Sequence, residues 1–274
     1  MTGQAQSTQG YLDVEGGKLY YEVVGQGHPL VLIHARVADC TMWDQQIGPF
    51  SQRYRVIRYD TRGYGRTTTE DVAYSNCKDL YELLKHLGVE KTYVLGISRG
   101  GHIAIDFTLE HPEMVDALIP VAAGFGGYQG EPTEEEMRLF DKMEELWEKK
   151  DFASLTDMEV RVWVDGFGRT GEVDPKVRKR VHEMISANYS RNQPEGQPIV
   201  LQPPAAGRLS EIKVPTLIIV GDLDATGPQA MADAMERGIP GAKKVVFPGV
   251  AHMVNMEKPE EFNRLVLEFL GGLG

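Results

Sequence analysis

The stretch Gly96-Ile97-Ser98-Arg99-Gly100 constrains this chain more than any other. Before it, Thr92-Tyr93-Val94-Leu95 is a β-branched and aromatic run, the composition of a buried strand. After it, residues 101–109 place Ile103 and Phe107 on one helical face, and the pattern stops near Glu110-His111-Pro112. A strand that turns sharply into a helix around a serine holds the hydroxyl exposed on the bend. The same turn aims the following backbone amide at the same spot. The pentapeptide alone is a weak pattern, and the strand and helix around it raise its value. Whether Ser98 is a nucleophile depends on whether the chain supplies a base and an acid.

The rest of the chain supports a turn of that kind. Residues 11–24 alternate around Glu15-Gly16-Gly17-Lys18 and predict a β-hairpin with a Gly-Gly turn. Residues 30–33, 55–59 and 92–95 are continuous apolar runs, as strands covered on both faces require. Leu80, Leu83, Leu84 and Leu87 repeat with a helical period that Gly88 ends, and 115–123 predicts a further strand. Strand and helix alternate, so an α/β sheet is expected. The pattern changes after Gly124. Thr133 and Glu136 have the spacing of a capping box, and helical patterns run over 152–164 and from Pro175 to about Tyr189. A return containing Pro194, Pro198, Pro203 and Pro204 leads to a strand at 214–220, a helix at 229–237, a strand at 243–247 and a final helix at 259–270. The all-helical insert reads as a lid. Three segments follow: a first core part at 1–124, a helical cap at 125–205 and a second core part at 206–274.

A serine hydroxyl is a poor nucleophile at neutral pH, so it needs a histidine base, which in turn needs an orienting carboxylate. In a parallel sheet the chemistry gathers where strands end. Of the seven histidines, His252 follows the strand at 243–247. His86, His111 and His182 fall on helices or their ends, His28 lies in a turn before a strand, and His102 follows Ser98 in the first turns of its helix. Gly221-Asp222-Leu223-Asp224 follows another strand. Asp224 stands further into that loop and is favoured as the acid, while Asp222 organises the turn. Two amides are candidates to bind a developing oxyanion: Arg99 N–H at the start of a helix, and Arg36 N–H in the loop His34-Ala35-Arg36.

A formal charge of −11 argues against a nucleic-acid or anionic-membrane surface. Two cysteines, Cys40 and Cys77, are too few for a disulfide framework, and no metal-binding spacing occurs. The polar start of the chain, residues 1–10, lacks the apolar core of a signal peptide, and apolar runs are strand-length. A cytoplasmic protein, monomeric or a small homo-oligomer, acting on a small molecule is the expectation.

Val31-Leu32-Ile33-His34, Met42-Trp43-Asp44, Tyr59-Asp60-Thr61-Arg62-Gly63-Tyr64-Gly65, the serine turn, Gly221-Asp222-Leu223-Asp224 and Gly249-Val250-Ala251-His252 together resemble the α/β-hydrolase superfamily over essentially the whole chain. The chain looks most like the small esterase, lactonase and enol-lactonase branch. The resemblance implies a mostly parallel eight-stranded sheet flanked by helices, a helical cap between strands six and seven, and no cofactor. It implies an acyl-enzyme hydrolysis of a small carboxylic ester or lactone by water, through Ser98, His252 and Asp224. Perhydrolysis, C–C bond hydrolysis, or a ligand receptor that keeps the triad with little turnover stay open, because one fold hosts many chemistries.

Two departures stand out. Ala35 replaces a frequent glycine, and arginine is unusual at both Arg36 and Arg99. These guanidinium groups either point outward to surface carboxylates or border the pocket and clamp a substrate carboxylate, as an enol-lactone acid or half-ester would require. Asp60 and Arg62 are expected to pair and hold their loops. Trp43 is a packing or pocket residue, and Phe125, Tyr128, Trp147 and Trp163 are candidates for the cap side of the pocket.

Overall fold

The computed structural model describes residues 7–191, 194 and 196–273. Residues 1–6 of the polar start and residues 192, 193 and 195 of the proline-rich return fall outside that set.

Strands β1 (Ser7–Val14) and β2 (Gly17–Val24) form an antiparallel hairpin in which Val14 faces Gly17. The turn is therefore Glu15-Gly16, one position earlier than a Gly-Gly turn, and Gly16 takes φ of +69°, which favours a residue without Cβ. Strands β3 (His28–Ile33) and β4 (Tyr54–Tyr59) flank helix α1 (Asp44–Phe50). Two short strands, β5 (Thr68–Thr69) and β6 (Ala73–Tyr74), precede α2 (Asn76–His86). Strands β7 (Thr92–Ile97) and β8 (Val115–Val121) flank α3 (Arg99–Glu110). Next come α4 (Glu134–Glu148), α5 (Phe152–Val160) with a π-helical turn (Arg161–Asp165), α6 (Pro175–Tyr189) and the short β9 (Gln197–Pro198). The chain closes with β10 (Leu217–Gly221), α7 (Thr226–Gly238), β11 (Lys243–Phe247), α8 (Val254–Glu257) and α9 (Pro259–Gly271).

The expected eight strands run in the order β1-β2-β4-β3-β7-β8-β10-β11, with β5 attached to β2 as a ninth and β6 paired to β9 apart from them. Pairing is antiparallel at β1-β2 and β2-β4 and parallel from β4 to β11. The parallel strands alternate between two buried faces. Leu30, Leu32, Leu95, Ile97 and Ile219 pack with Trp43, Phe50 and Phe262, whereas Val31, Ile33, Val94, Ile218 and Val220 pack with Leu80, Leu83, Phe107 and Met235. Each apolar run is uninterrupted because each of its two faces meets a helix layer. Trp43 is fully buried against Phe262, which makes it a packing residue.

Local chemistry sets the helix ends. The Ser75 hydroxyl caps α2 by accepting from Lys78 N–H, and the Thr133–Glu136 capping box opens α4. Helix α7 begins at Thr226, earlier than the periodicity predicts, with Gly227 and Pro228 in its first turn. Proline is tolerated there because first-turn amides have no partner within the helix. One expected pair does not form. Asp60 accepts instead from the amides of Cys40 and Arg66, each at 2.7 Å, and Arg62 makes a buried two-point contact with Asp79 at 2.6 and 2.9 Å. Loop geometry carries the Asp60 carboxylate towards unpaired amides, and α2 presents Asp79 to the guanidinium.

Candidate active site

Ser98 stands between β7 and α3 with φ of 55° and ψ of −117°. A residue with a Cβ is strained at that positive φ. The strain is held by the surrounding backbone: Ser98 N–H donates to Val121 O at 2.8 Å, and His102 N–H donates to Ser98 O at 3.0 Å. The neighbouring glycines are there for room. A Cβ on Gly96 would lie 2.1 Å from Gly100 O, and one on Gly100 would lie 2.2 Å from Ile33 O. The turn is thus pressed against its own helix and against the end of β3, which brings the His34 loop alongside it.

His252 lies beyond β11 and Asp224 beyond β10, and both are buried. His252 Nδ1 is 2.8 Å from Asp224 Oδ2 and 3.0 Å from Oδ1. Asp224 Oδ1 also accepts from Ala225 N–H at 2.8 Å, which fixes the carboxylate. Asp222, two positions earlier, turns the other way and accepts from Gly249 N–H at 2.7 Å. The other side of His252 meets Trp163, whose ring centroid is 4.7 Å away and whose carbonyl accepts the His252 amide. An imidazole held at Nδ1 by a carboxylate presents Nε2 for proton transfer.

Ser98 and His252 line one cavity of about 590 Å³. Phe125, Tyr128 and Trp163, all expected near the pocket, line it. So do Ala122, Phe140, Thr226 and Met231, which were not singled out from the sequence. Ala122 follows the end of β8 and so lay within reach of the strand-end rule. The rest arrive from α4 and α7, whose packing a local pattern does not encode. Trp147 lies outside this lining and packs edge-on against Phe152 at 5.7 Å. Glu136 fastens α4 over the site, accepting from Thr226 Oγ1 at 2.6 Å as well as completing its capping box. Burial raises its carboxyl, but the bonds from Thr226 and Thr133 outweigh this and hold it below the usual range.

The two arginines part company. Arg99 borders the Ser98 cavity, its Nη1 donating to Thr61 Oγ1 at 2.7 Å and its Nη2 to Tyr74 OH at 3.1 Å and Asn76 Oδ1 at 3.3 Å. Arg36 is not among the residues that line that cavity. It lines a separate void of about 20 Å³ with Tyr64 and Tyr189, in electrostatic reach of Glu159 on α5. The Arg36 amide has no partner among the described residues. Its loop is fixed by His34, whose Nδ1–H donates to Ala35 O at 2.7 Å while Nε2 accepts from Thr61 N–H at 2.9 Å. Burial pushes the His34 ring below its ordinary value, in keeping with a neutral imidazole locked as a strut.

Among the described residues no group of three or more His, Cys, Asp or Glu side chains could hold a metal, and no helix is long and apolar enough to cross a membrane.

A model of the alpha/beta hydrolase fold matches residues 28–259. The chain is 30% identical over 288 residues to a 2-hydroxy-6-oxononadienedioate/2-hydroxy-6-oxononatrienedioate hydrolase of Paraburkholderia phymatum, covering 97% of this chain and 96% of that protein. It is 29% identical to the protein of the same name from Escherichia coli K12, covering 96% of each. Among solved structures it superposes on the enol-lactonase of Burkholderia xenovorans LB400 with a TM-score of 0.76 at 22% identity, over 96% of this chain and 100% of that one. The serine turn, the strand order and the family match agree: this chain is a hydrolase and belongs to the alpha/beta hydrolase fold family.

Proposed function

We propose that the chain is a serine hydrolase of small carboxylic esters or lactones, with residues 125–205 serving as a cap over the site. The observation that carries this reading is that Ser98, on its strained turn, shares a cavity with His252, which Asp224 holds by Nδ1. In the proposed reaction Ser98 Oγ attacks the carbonyl carbon and its proton passes to His252 Nε2. The amides of Arg99 and Arg36 take the oxyanion. The carbonyl re-forms as the alcohol leaves with the proton from His252. Water then gives a proton to the same imidazole, attacks the acyl-enzyme and releases the acid and free Ser98. Asp224 holds the imidazole throughout. The free thiols of Cys40 and Cys77 support a cytoplasmic protein, and the formal charge of −11 favours small molecules over nucleic acid as its partners.

A second reading is C–C bond hydrolysis in the same site, favoured by the names of the relatives at 29–30% identity. Turnover of p-nitrophenyl butyrate against a 2-hydroxy-6-oxodienoate distinguishes the two. Preference for the ester, lost in Ser98→Ala, is expected. Preference for the hydroxy-oxodienoate overturns the ester reading in favour of the second, and full activity of Ser98→Ala on either substrate overturns both.

A further inference from the structure

The Arg99 guanidinium is half-buried, yet every partner it has is neutral. Its three hydrogen bonds go to the Thr61 and Tyr74 hydroxyls and the Asn76 amide oxygen, and its Cζ sits 4.9 Å from the centre of the Tyr64 ring. Three other arginines drawn into this protein meet carboxylates, Arg58 with Glu22 and Asp44, Arg62 with Asp79 and Arg169 with Glu257, whereas half-buried Arg191 donates to the Thr67 carbonyl. Among the described residues, no Asp or Glu lies at ion-pair distance from Arg99, although the chain carries 40 acidic residues. Holding a guanidinium partly out of water without a counter-charge is costly, and hydrogen bonds to neutral oxygens recover only part of that cost.

Its position says where the missing charge belongs. Arg99 and His102 are shared between the cavity that holds Ser98 and His252 and a second cavity of about 440 Å³. The second cavity runs between the starts of α2 and α3 and the segment after β9, walled by Cys77, Ile103, Ile199 and Leu201 among others. Its titratable groups are uneven. His102 Nε2 is 3.3 Å from Asp106 Oδ2, and Asp106 and Glu110 also line it, so the carboxylates repel an anion from the part they line and leave Arg99 as its seat. A guanidinium carries five N–H groups. Three are used by Thr61, Tyr74 and Asn76, which hold the side chain in one position and leave the others for a ligand.

We infer that Arg99 binds a carboxylate of the substrate, so that the substrate is an ester or lactone bearing a second, anionic end. This rests on Ser98 being the nucleophile, since the distance that matters runs from the reacting carbonyl to the charge. The main-chain amide of Arg99 and its side chain then have separate tasks, the first on the oxyanion and the second on the far carboxylate. A half-ester of a dicarboxylic acid has the required shape.

The test compares p-nitrophenyl hydrogen adipate with p-nitrophenyl methyl adipate, which differ in one negative charge. The expected result is a preference for the acid, expressed as the ratio of the two kcat/KM values, that falls at least about tenfold in Arg99→Met and is partly restored in Arg99→Lys. A ratio unchanged within about twofold overturns the inference. If Arg99→Met does not fold, the wild-type protein supplies the answer. Competitive inhibition by free adipate that weakens as salt rises supports the inference, and no inhibition overturns it. Ser98→Ala keeps the two claims apart. If that variant is inactive while the ratio ignores Arg99, the charge assignment alone fails. If Ser98→Ala stays active, the nucleophile assignment fails first.

Discussion

His252 Nδ1 sits 2.8 Å from Asp224 Oδ2, while the carboxylate of Asp222 is committed to the Gly249 amide at 2.7 Å. Two aspartates separated by one leucine therefore have different tasks, one facing the imidazole and one tying the two loops together.

That division predicts different consequences for the two side chains. Asp224→Asn leaves the imidazole without its anionic partner and should lower kcat by about 10³–10⁴. Asp222→Ala should lower stability by about 1–2 kcal/mol through loss of its bond to Gly249, with a much smaller fall in kcat. Steady-state kinetics with thermal melts separates them, and equal losses of kcat in the two variants contradict the assignment.

The glycines of the serine turn are a packing matter. Gly100→Ala forces a Cβ to within 2.2 Å of Ile33 O, a backbone atom that cannot swing away. A destabilisation of about 3 kcal/mol or more is expected, read as a lower denaturant midpoint at unchanged m. A variant as stable as the wild type would show that the turn is not pressed against β3.

Glu159 gives a pH signature. It lies on α5, buried to 1% exposure, with Oε2 unpartnered. Burial raises its carboxyl to about 7, against smaller lowering effects of Tyr189 and Arg36. An unfolded glutamate loses its proton near pH ~4.3. Between those values the folded state holds a proton that the unfolded state has lost, so stability falls as pH rises through this window, by about 4 kcal/mol in all. Glu159→Gln cannot ionise. Relative to wild type it should gain stability as pH rises from 5 to 8, and the gain should level off above pH 7–8. A difference between the two proteins that does not vary with pH contradicts the assignment.

Much of this was legible in the sequence, for identifiable reasons. The strands around Val31, Val94 and Ile219 are continuous apolar runs because both sheet faces are covered, and strand ends then indicate where Ser98, Asp224 and His252 gather. The capping box at Thr133 and Glu136 is a local code and was readable as such. What escaped depends on contacts between distant segments. Asp60 and Arg62 lie close in sequence but find Cys40, Arg66 and Asp79 instead. Arg36 and Arg99 look alike along the chain, yet Arg36 turns towards Tyr64 and Tyr189 while Arg99 stays beside Ser98. Trp147 has the composition of a pocket residue but packs between helices, with Phe152 and Tyr189 as neighbours.

The central claim is that Ser98 carries the acyl group. Wild-type protein mixed with excess p-nitrophenyl butyrate, quenched in acid within the first turnover and digested, should yield the Ser98 peptide heavier by one butyryl group. A burst of p-nitrophenol equal to the protein concentration should accompany it, and both should be absent in Ser98→Ala. Steady turnover with no adduct on Ser98, or an adduct on another residue, would contradict the account.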